Sequence, residues 1–272
     1  RIMEEFNLVK SLTSKHIDRM DIAGDLHISG PSYAERFSKD MMEVGEGVKW
    51  CSVSRFHLVN TYTAELMAKA GCESFMLGVE SGAERIQRLN GKPVDLNHAI
   101  KVTKTMRKHG ILVTNTYMMG HPDETLEELK LTLRYLRKIP ADQNLIQIYR
   151  PFPGTPYWEF SMKNNKIEGP KTFEEFETFG VLTHHANISK IPTKTLLRTF
   201  YKVNLYQQTK FLINLERYYL RNGMHEQFRS ALINNKFSFK LKELIRIRRK
   251  RKEAKNGMIV DKSIENINPS LQ

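Results

Sequence analysis

The sequence predicts an α/β protein built on one parallel sheet, and three observations predict it. Between Arg1 and Trp158, stretches with apolar residues at helical spacing alternate five times with short apolar runs of strand type. Gly71, Gly110 and Pro140 stand at junctions between them, where a helix has to stop before the next strand can start. The least ordinary side chains gather just after the strand-like runs, which is where parallel sheets bind their ligands. A helix-strand alternation with a period of roughly thirty residues calls for helical crossovers and hence parallel strands. Periodicity alone leaves open whether such a sheet stays open or curls into a barrel.

The first helix is expected from Ile2 to about Thr13, where Ile2, Met3, Phe6, Leu8, Val9 and Leu12 recur at helical spacing, with a strand following over residues 17–23. Pro31 and Ser32 open a helix that runs to about Val44, before a strand over 48–53. The third cycle is a helix over 61–70, the stop at Gly71 and a strand over 74–78. The fourth is a helix over 95–109 and a strand over 111–119; the last is a helix over 124–138 and a strand over 145–149. Past Trp158 the pattern changes, and Asn164, Asn165, Gly169 and Pro170 read as a linker. The expected division is a barrel-like domain over 1–162, a helical extension over 163–255 and a polar, disordered tail over 256–272. Helices are expected over 192–220 and 224–233 of the extension.

The 272 residues carry a net charge of +13, but ten Lys or Arg against Glu243 and Glu253 between Lys236 and Lys255 give that segment alone +8. The basicity belongs mainly to the tail, where it suggests contact with nucleic acid or an anionic membrane surface or, more blandly, a solvated charged helix. No run of about 18 uncharged apolar residues could span a bilayer. Cys51 and Cys72, the only cysteines, are too few for a disulfide framework and too far apart for a metal knuckle. A reducing, cytoplasmic setting is expected.

Three strand exits and one turn carry the chemistry. Gly78-Val79-Glu80-Ser81-Gly82 sets a carboxylate between glycines, able to accept both hydroxyls of a ribose, with Ser81 placed to cap the next helix. Lys92 follows across a short helix over 83–89 and the Asn90-Gly91 turn, where its cation could meet a ligand carboxylate. Met119-Gly120-His121-Pro122-Asp123-Glu124-Thr125 reads as a tight turn in which Asp123 caps the following helix and His121 is exposed. Pro151-Phe152-Pro153-Gly154-Thr155-Pro156 can continue neither as strand nor as helix, and makes a rigid loop suited to the floor under a flat ligand.

In this order the strings resemble the radical SAM superfamily, in particular the branch often fused to a cobalamin-binding domain. The resemblance implies a partial parallel (βα) barrel of radical SAM type of which this chain carries the second to sixth strands. It implies S-adenosylmethionine (SAM) binding by Ser52, Arg55 and Glu80, by Asn115 or Thr116, and by Lys92 at the methionine carboxylate. Asp25 would hold the methionine amino group, and Met118 and Tyr149 would flank the adenine. The family's CxxxCxxC signature, whose thiolates hold a 4Fe-4S cluster, is absent. Since the family carries it just before the first helix, the segment is expected upstream of Arg1. The implied protein is an enzyme that generates a 5'-deoxyadenosyl radical to methylate or cyclise a small organic substrate, with a reductant such as ferredoxin or flavodoxin and a cobalamin domain as partners. The alternative is a cluster-less SAM-binding relic or interaction module.

Overall fold

The computed structural model describes residues 2–12, 19–22, 26–45, 47–164, 167, 169, 172 and 187–221, with side chains to residue 210. Helix α1 (Ile2–Leu12) leads to strand β1 (Arg19–Asp21), α2 (Pro31–Val44) to β2 (Lys49–Arg55), and α3 (Thr61–Lys69) to β3 (Cys72–Glu80). Next come α4 (Glu84–Leu89), α5 (Leu96–Lys108), β4 (Leu112–Met119), α6 (Leu126–Lys138), β5 (Gln143–Ile148) and α7 (Pro156–Lys163). The long α8 (Thr193–Arg221) follows. The chain falls into two compact units, Arg1–Leu212 and Ile213–Gln272.

The five strands pair in parallel in the order β1-β2-β3-β4-β5 and curl into a half-barrel. Each crossover contains a helix and moves one strand along the sheet, so crossovers of the usual right hand lay their helices on one face. One sheet face packs on those helices: Trp50, Phe75, Leu77, Val113, Tyr117 and Met119 join Phe37, Met41, Met67, Val102, Met106 and Leu129 in one core cluster. The other face is less buried, so alternation along β4 puts Thr114, Thr116 and Met118 on it and Val113, Asn115 and Tyr117 in the core.

Local chemistry explains where the helices start. Asn60 and Thr125 each cap a helix with a full capping box, Thr125 with Glu128, whose carboxyl the Arg85 guanidinium holds down to about 2. Thr155 with Pro156 at the first helical position starts α7. The helix at α7 was missed in the sequence, although that pair signals it. The strand expected at residues 74–78 is longer, nine residues in β3, while β1 lies within the expected 17–23, whose ends fall outside the described residues. Expected elements at 224–233 and the tail between Lys236 and Lys255 lie outside the described residues. No helix among the described residues is long and apolar enough to cross a membrane.

Candidate functional site

The strand tips gather charged groups around one bare stretch of backbone. In a single register row Arg55 pairs with Gly78, and Gly78 with Thr116. A Cβ built on Gly78 would lie 3.1 Å from Glu80 Oε1 and 3.8 Å from Thr116 Oγ1. The Glu80 carboxylate therefore hangs over Gly78 on the less buried face, beside the Thr116 hydroxyl.

Two backbone features aim that carboxylate. The β3–β4 register slips between Gly78 and Glu80, and Glu80 itself has φ 60. A bulge re-aims side chains and is common beside sites, while a non-glycine residue in the left-handed region costs on the order of 1 kcal/mol. Lys92 holds the result: its Nζ donates to Glu80 Oε1 at 2.9 Å, with the carboxylate side chain 12% exposed and the lysine 32%. The turn that delivers Lys92 is fixed in turn. Gly91 has φ 58, the Lys92 N–H donates to the Gln87 carbonyl at 3.0 Å, and the Gln87 amide donates to the Ser81 carbonyl at 2.8 Å. Arg55 has no ion-pair partner among the described residues.

Not every expected site residue joins this group. Thr116 and Met118 share the face of Gly78, whereas Asn115 is fully buried on the helix-covered face. Ser52 also lies on that face, sharing a 2.6 Å hydrogen bond with His27. Tyr149 is tied to the tip of β4 by its N–H, which donates to the Met119 carbonyl at 2.7 Å. Its ring lies 5.1 Å from that of His121. Asp25 lies outside the described residues.

Three turn readings need correction. Thr125, not Asp123, caps α6, and Asp123 takes φ 55 in the turn before it. Ser81 is not the N-cap of α4, which is Ala83; its Oγ accepts from the Ala83 N–H at 3.1 Å and meets Thr132 Oγ1 at 3.0 Å, tying α4 to α6. His121, expected in solvent, is 1% exposed. Residues 188–196 pack on the same turn: the Asp123 N–H donates to the Ile188 carbonyl and the Lys190 N–H to the Glu124 carbonyl, and Leu196 lies 3.0 Å from where Gly120 would carry a Cβ.

His27 was also missed as a buried group. Its ring sits edge-on to Phe37 at 4.6 Å and Tyr33 at 5.6 Å, and burial pushes its pKa down to about 4. An unfolded chain protonates this imidazole near 6.5, so between pH 6.5 and 4 the unfolded state binds the extra proton and stability falls as pH falls. Urea titrations at pH 7 and 5 are expected to show this component, on the order of 1–2 kcal/mol after solvent screening, and the His27→Phe variant to lack it.

Residues 31–136 match the sequence model of the radical SAM superfamily. Over that stretch, from α2 to α6, the chain is similar to radical SAM proteins. Its solved relatives in fold include coproporphyrinogen III oxidase of Escherichia coli, a radical SAM enzyme, with a TM-score of 0.50 and 15% identity over 65% of this chain and 43% of that one. Another is the radical SAM methyltransferase TsrM of Kitasatospora setae, with a TM-score of 0.51 and 14% identity over 63% of this chain and 35% of that one. At these identities the likeness is one of fold. In sequence, an uncharacterised methyltransferase of Pyrococcus horikoshii is 27% identical over 78% of this chain and 46% of its own length. Bacteriochlorophyllide d C-12(1)-methyltransferase of Chlorobaculum tepidum is 24% identical over 58% of this chain and 35% of its own. The chain thus spans less than half the length of these curated relatives.

A radical SAM domain needs donors for a zwitterionic nucleoside and thiolates for a cluster. The first set fits: a carboxylate for a diol, an ammonium and a guanidinium for a carboxylate, a hydroxyl, and glycine backbone that lets a flat ligand approach. The second does not. Cys51 is half-buried and Cys72 buried, both free. Two thiols cannot give three thiolates, and the described residues hold no group of three or more His, Cys, Asp or Glu arranged for a metal ion.

Proposed function

We propose that this chain is the SAM-binding half-barrel of a radical SAM enzyme that modifies an organic substrate, methyl transfer being the reaction class favoured by its methyltransferase relatives and cyclisation the alternative. The observation that carries this is the Glu80–Lys92 ion pair poised over Gly78, with Arg55 and Thr116 in the same register row. In this reading the pair opens on binding. Glu80 then accepts from the ribose hydroxyls, while Lys92 and Arg55 turn to the methionine carboxylate; Thr116 adds a neutral hydrogen bond. Met118 and the backbone at Tyr149 border the adenine, and Asp25 receives the amino group. Ser52 and Asn115 support the sheet from its helix side.

In a complete enzyme, a reduced 4Fe-4S cluster would supply the one electron that splits SAM into methionine and a 5'-deoxyadenosyl radical. With two cysteines in these 272 residues, the cluster's thiolates and any cobalamin site would have to be supplied from elsewhere, and a ferredoxin or flavodoxin would serve as reductant. What the chain's own residues contribute is orientation: a strained, bulged Glu80 held in place before the ligand arrives loses little freedom on binding it. The basic run between Lys236 and Lys255 remains a proposed contact for an anionic surface.

The test compares S-adenosylhomocysteine with 5'-methylthioadenosine, which lacks the amino-acid part. Lys92→Ala is expected to weaken the first by roughly tenfold, the loss of a charge-assisted hydrogen bond, and to leave the second unchanged by calorimetry. Equal losses for both ligands contradict the role of Lys92.

A further inference from the structure

Behind the Lys92 turn lies a buried polar chain that a turn and a helix cap do not require. His121 and Glu124 are 1% and 0% exposed. Glu124 Oε2 accepts the N–H groups of Gly120 at 2.5 Å and His121 at 3.2 Å, and Oε1 lies 3.9 Å from His121 Nδ1. At the far side of the imidazole, His121 Nε2 meets Asn90 Nδ2 at 3.1 Å. Since Thr125 and Glu128 cap α6 without them, an apolar side chain could fill the place of His121 with no polar group to desolvate.

The far end of the chain gives it a purpose. Asn90 ends α4 and opens the turn Asn90-Gly91-Lys92, with its N–H already donated to Ile86. The turn is therefore pinned twice by side chains, through Asn90 to the loop after β4 and through Lys92 to Glu80 at the end of β3. Gly91 between them has φ 58 and meets nothing within 4 Å of a built Cβ. Without the Asn90 anchor, the turn keeps its local hydrogen bonds to Arg88 and Gln87 but loses its tie to the loop after β4.

We propose that His121 is a positioning residue for Lys92: by accepting a hydrogen bond from Asn90 it fixes the turn that presents the ammonium at the strand tips. This rests on the reading of Lys92 as a ligand-carboxylate partner. An amide nitrogen only donates, so Nε2 accepts and the imidazole proton sits on Nδ1, facing Glu124. That is the less common tautomer in water, and the Asn90 amide selects it.

Two measurements on the full chain test this. The first needs no ligand: nitrogen-15 spectra of the imidazoles are expected to show one histidine in the Nδ1–H form, assigned by its loss in His121→Phe and converted to a mixed tautomer in Asn90→Ala. An Nε2–H tautomer at His121, or one indifferent to Asn90, overturns the proposal whatever the ligands do. The second uses S-adenosylhomocysteine and 5'-methylthioadenosine. Asn90→Ala and His121→Phe are each expected to weaken the former several-fold and spare the latter, the double variant to lose no more than the larger single loss, and His121→Gln, which keeps an acceptor, to recover the affinity. Equal losses for both ligands, or full binding by Asn90→Ala, refute the positioning role. Should His121→Phe not fold, Asn90→Ala decides, because its side chain is only part-buried. If Lys92→Ala itself fails to distinguish the two ligands, the fault lies with the cofactor reading, and the tautomer still judges the Asn90–His121 contact.

Discussion

With Glu80 replaced by Ala, affinity for S-adenosylhomocysteine is expected to fall by tenfold or more while the chain stays folded. Hydrogen bonds from a ligand's hydroxyls to a carboxylate are charge-assisted and contribute about 1.5–3 kcal/mol each. A second variant separates binding from folding. Glu80 occupies φ 60, a conformation that glycine adopts without strain, so Glu80→Gly is expected to gain about 1 kcal/mol in urea unfolding and still bind as poorly as the alanine variant. A residue kept at a cost to stability, and improved by removal only when function is ignored, is the signature of strain held for a site. Were Glu80→Gly less stable than the parent, the carboxylate would be serving the fold through Lys92 instead.

Gly82→Ala is expected to have the largest effect on stability. A Cβ there would lie 2.5 Å from the Leu131 carbonyl oxygen and 2.7 Å from its carbon, in the backbone of α6. Backbone inside a packed helix cannot step aside as a side chain can, so α4 and α6 must separate, at about 3 kcal/mol. The Ser81–Thr132 hydroxyl contact and the Gly82 N–H donated to Thr132 Oγ1 at 3.1 Å would go with them. Gly78→Ala makes a useful contrast. Its nearest neighbour is the flexible end of Glu80, 3.1 Å away, so that variant should fold normally and bind less well. A Gly82→Ala melting temperature equal to that of the parent would mean that the two helices are not in the close contact described.

The fold was legible wherever local and global demands coincide. Gly71 and Gly110 both take φ 88, so the residues that stop α3 and α5 in the sequence stop them in space for a steric reason. Boundaries were less legible where pairing outruns hydrophobicity: β3 reaches Glu80 because β4 offers it a partner at Tyr117, although a carboxylate is no strand former. The capping box of α6 was readable as Thr125 with Glu128 three residues on; choosing Asp123 overlooked it.

The site was legible in its chemistry and not in its geometry. Glu80 and Lys92 stand out by residue type at strand and helix ends, and Arg55 and Thr116 fall in one register row with Gly78. Ser52 and Arg55, three apart on β2, cannot share a face of a regular strand, so alternation alone already divides them. The burial of His121 is not legible in its neighbours, because its ring meets Asn90 and Tyr149, some thirty residues to either side, and its turn is packed by the segment around Ile188 to Leu196. The bulge at Gly78 and the left-handed Glu80 likewise arise from the pairing of β3 with β4, which no local pattern encodes.

The most direct test of the central claim is a crystal structure of the chain with S-adenosylhomocysteine. The account predicts the ligand across the tips of β2 to β4, with its ribose hydroxyls on Glu80, its backbone approach at Gly78 and the Glu80–Lys92 pair opened toward the ligand's carboxylate. A ligand seated elsewhere, with Glu80 Oε1 still 2.9 Å from Lys92 Nζ, would contradict it.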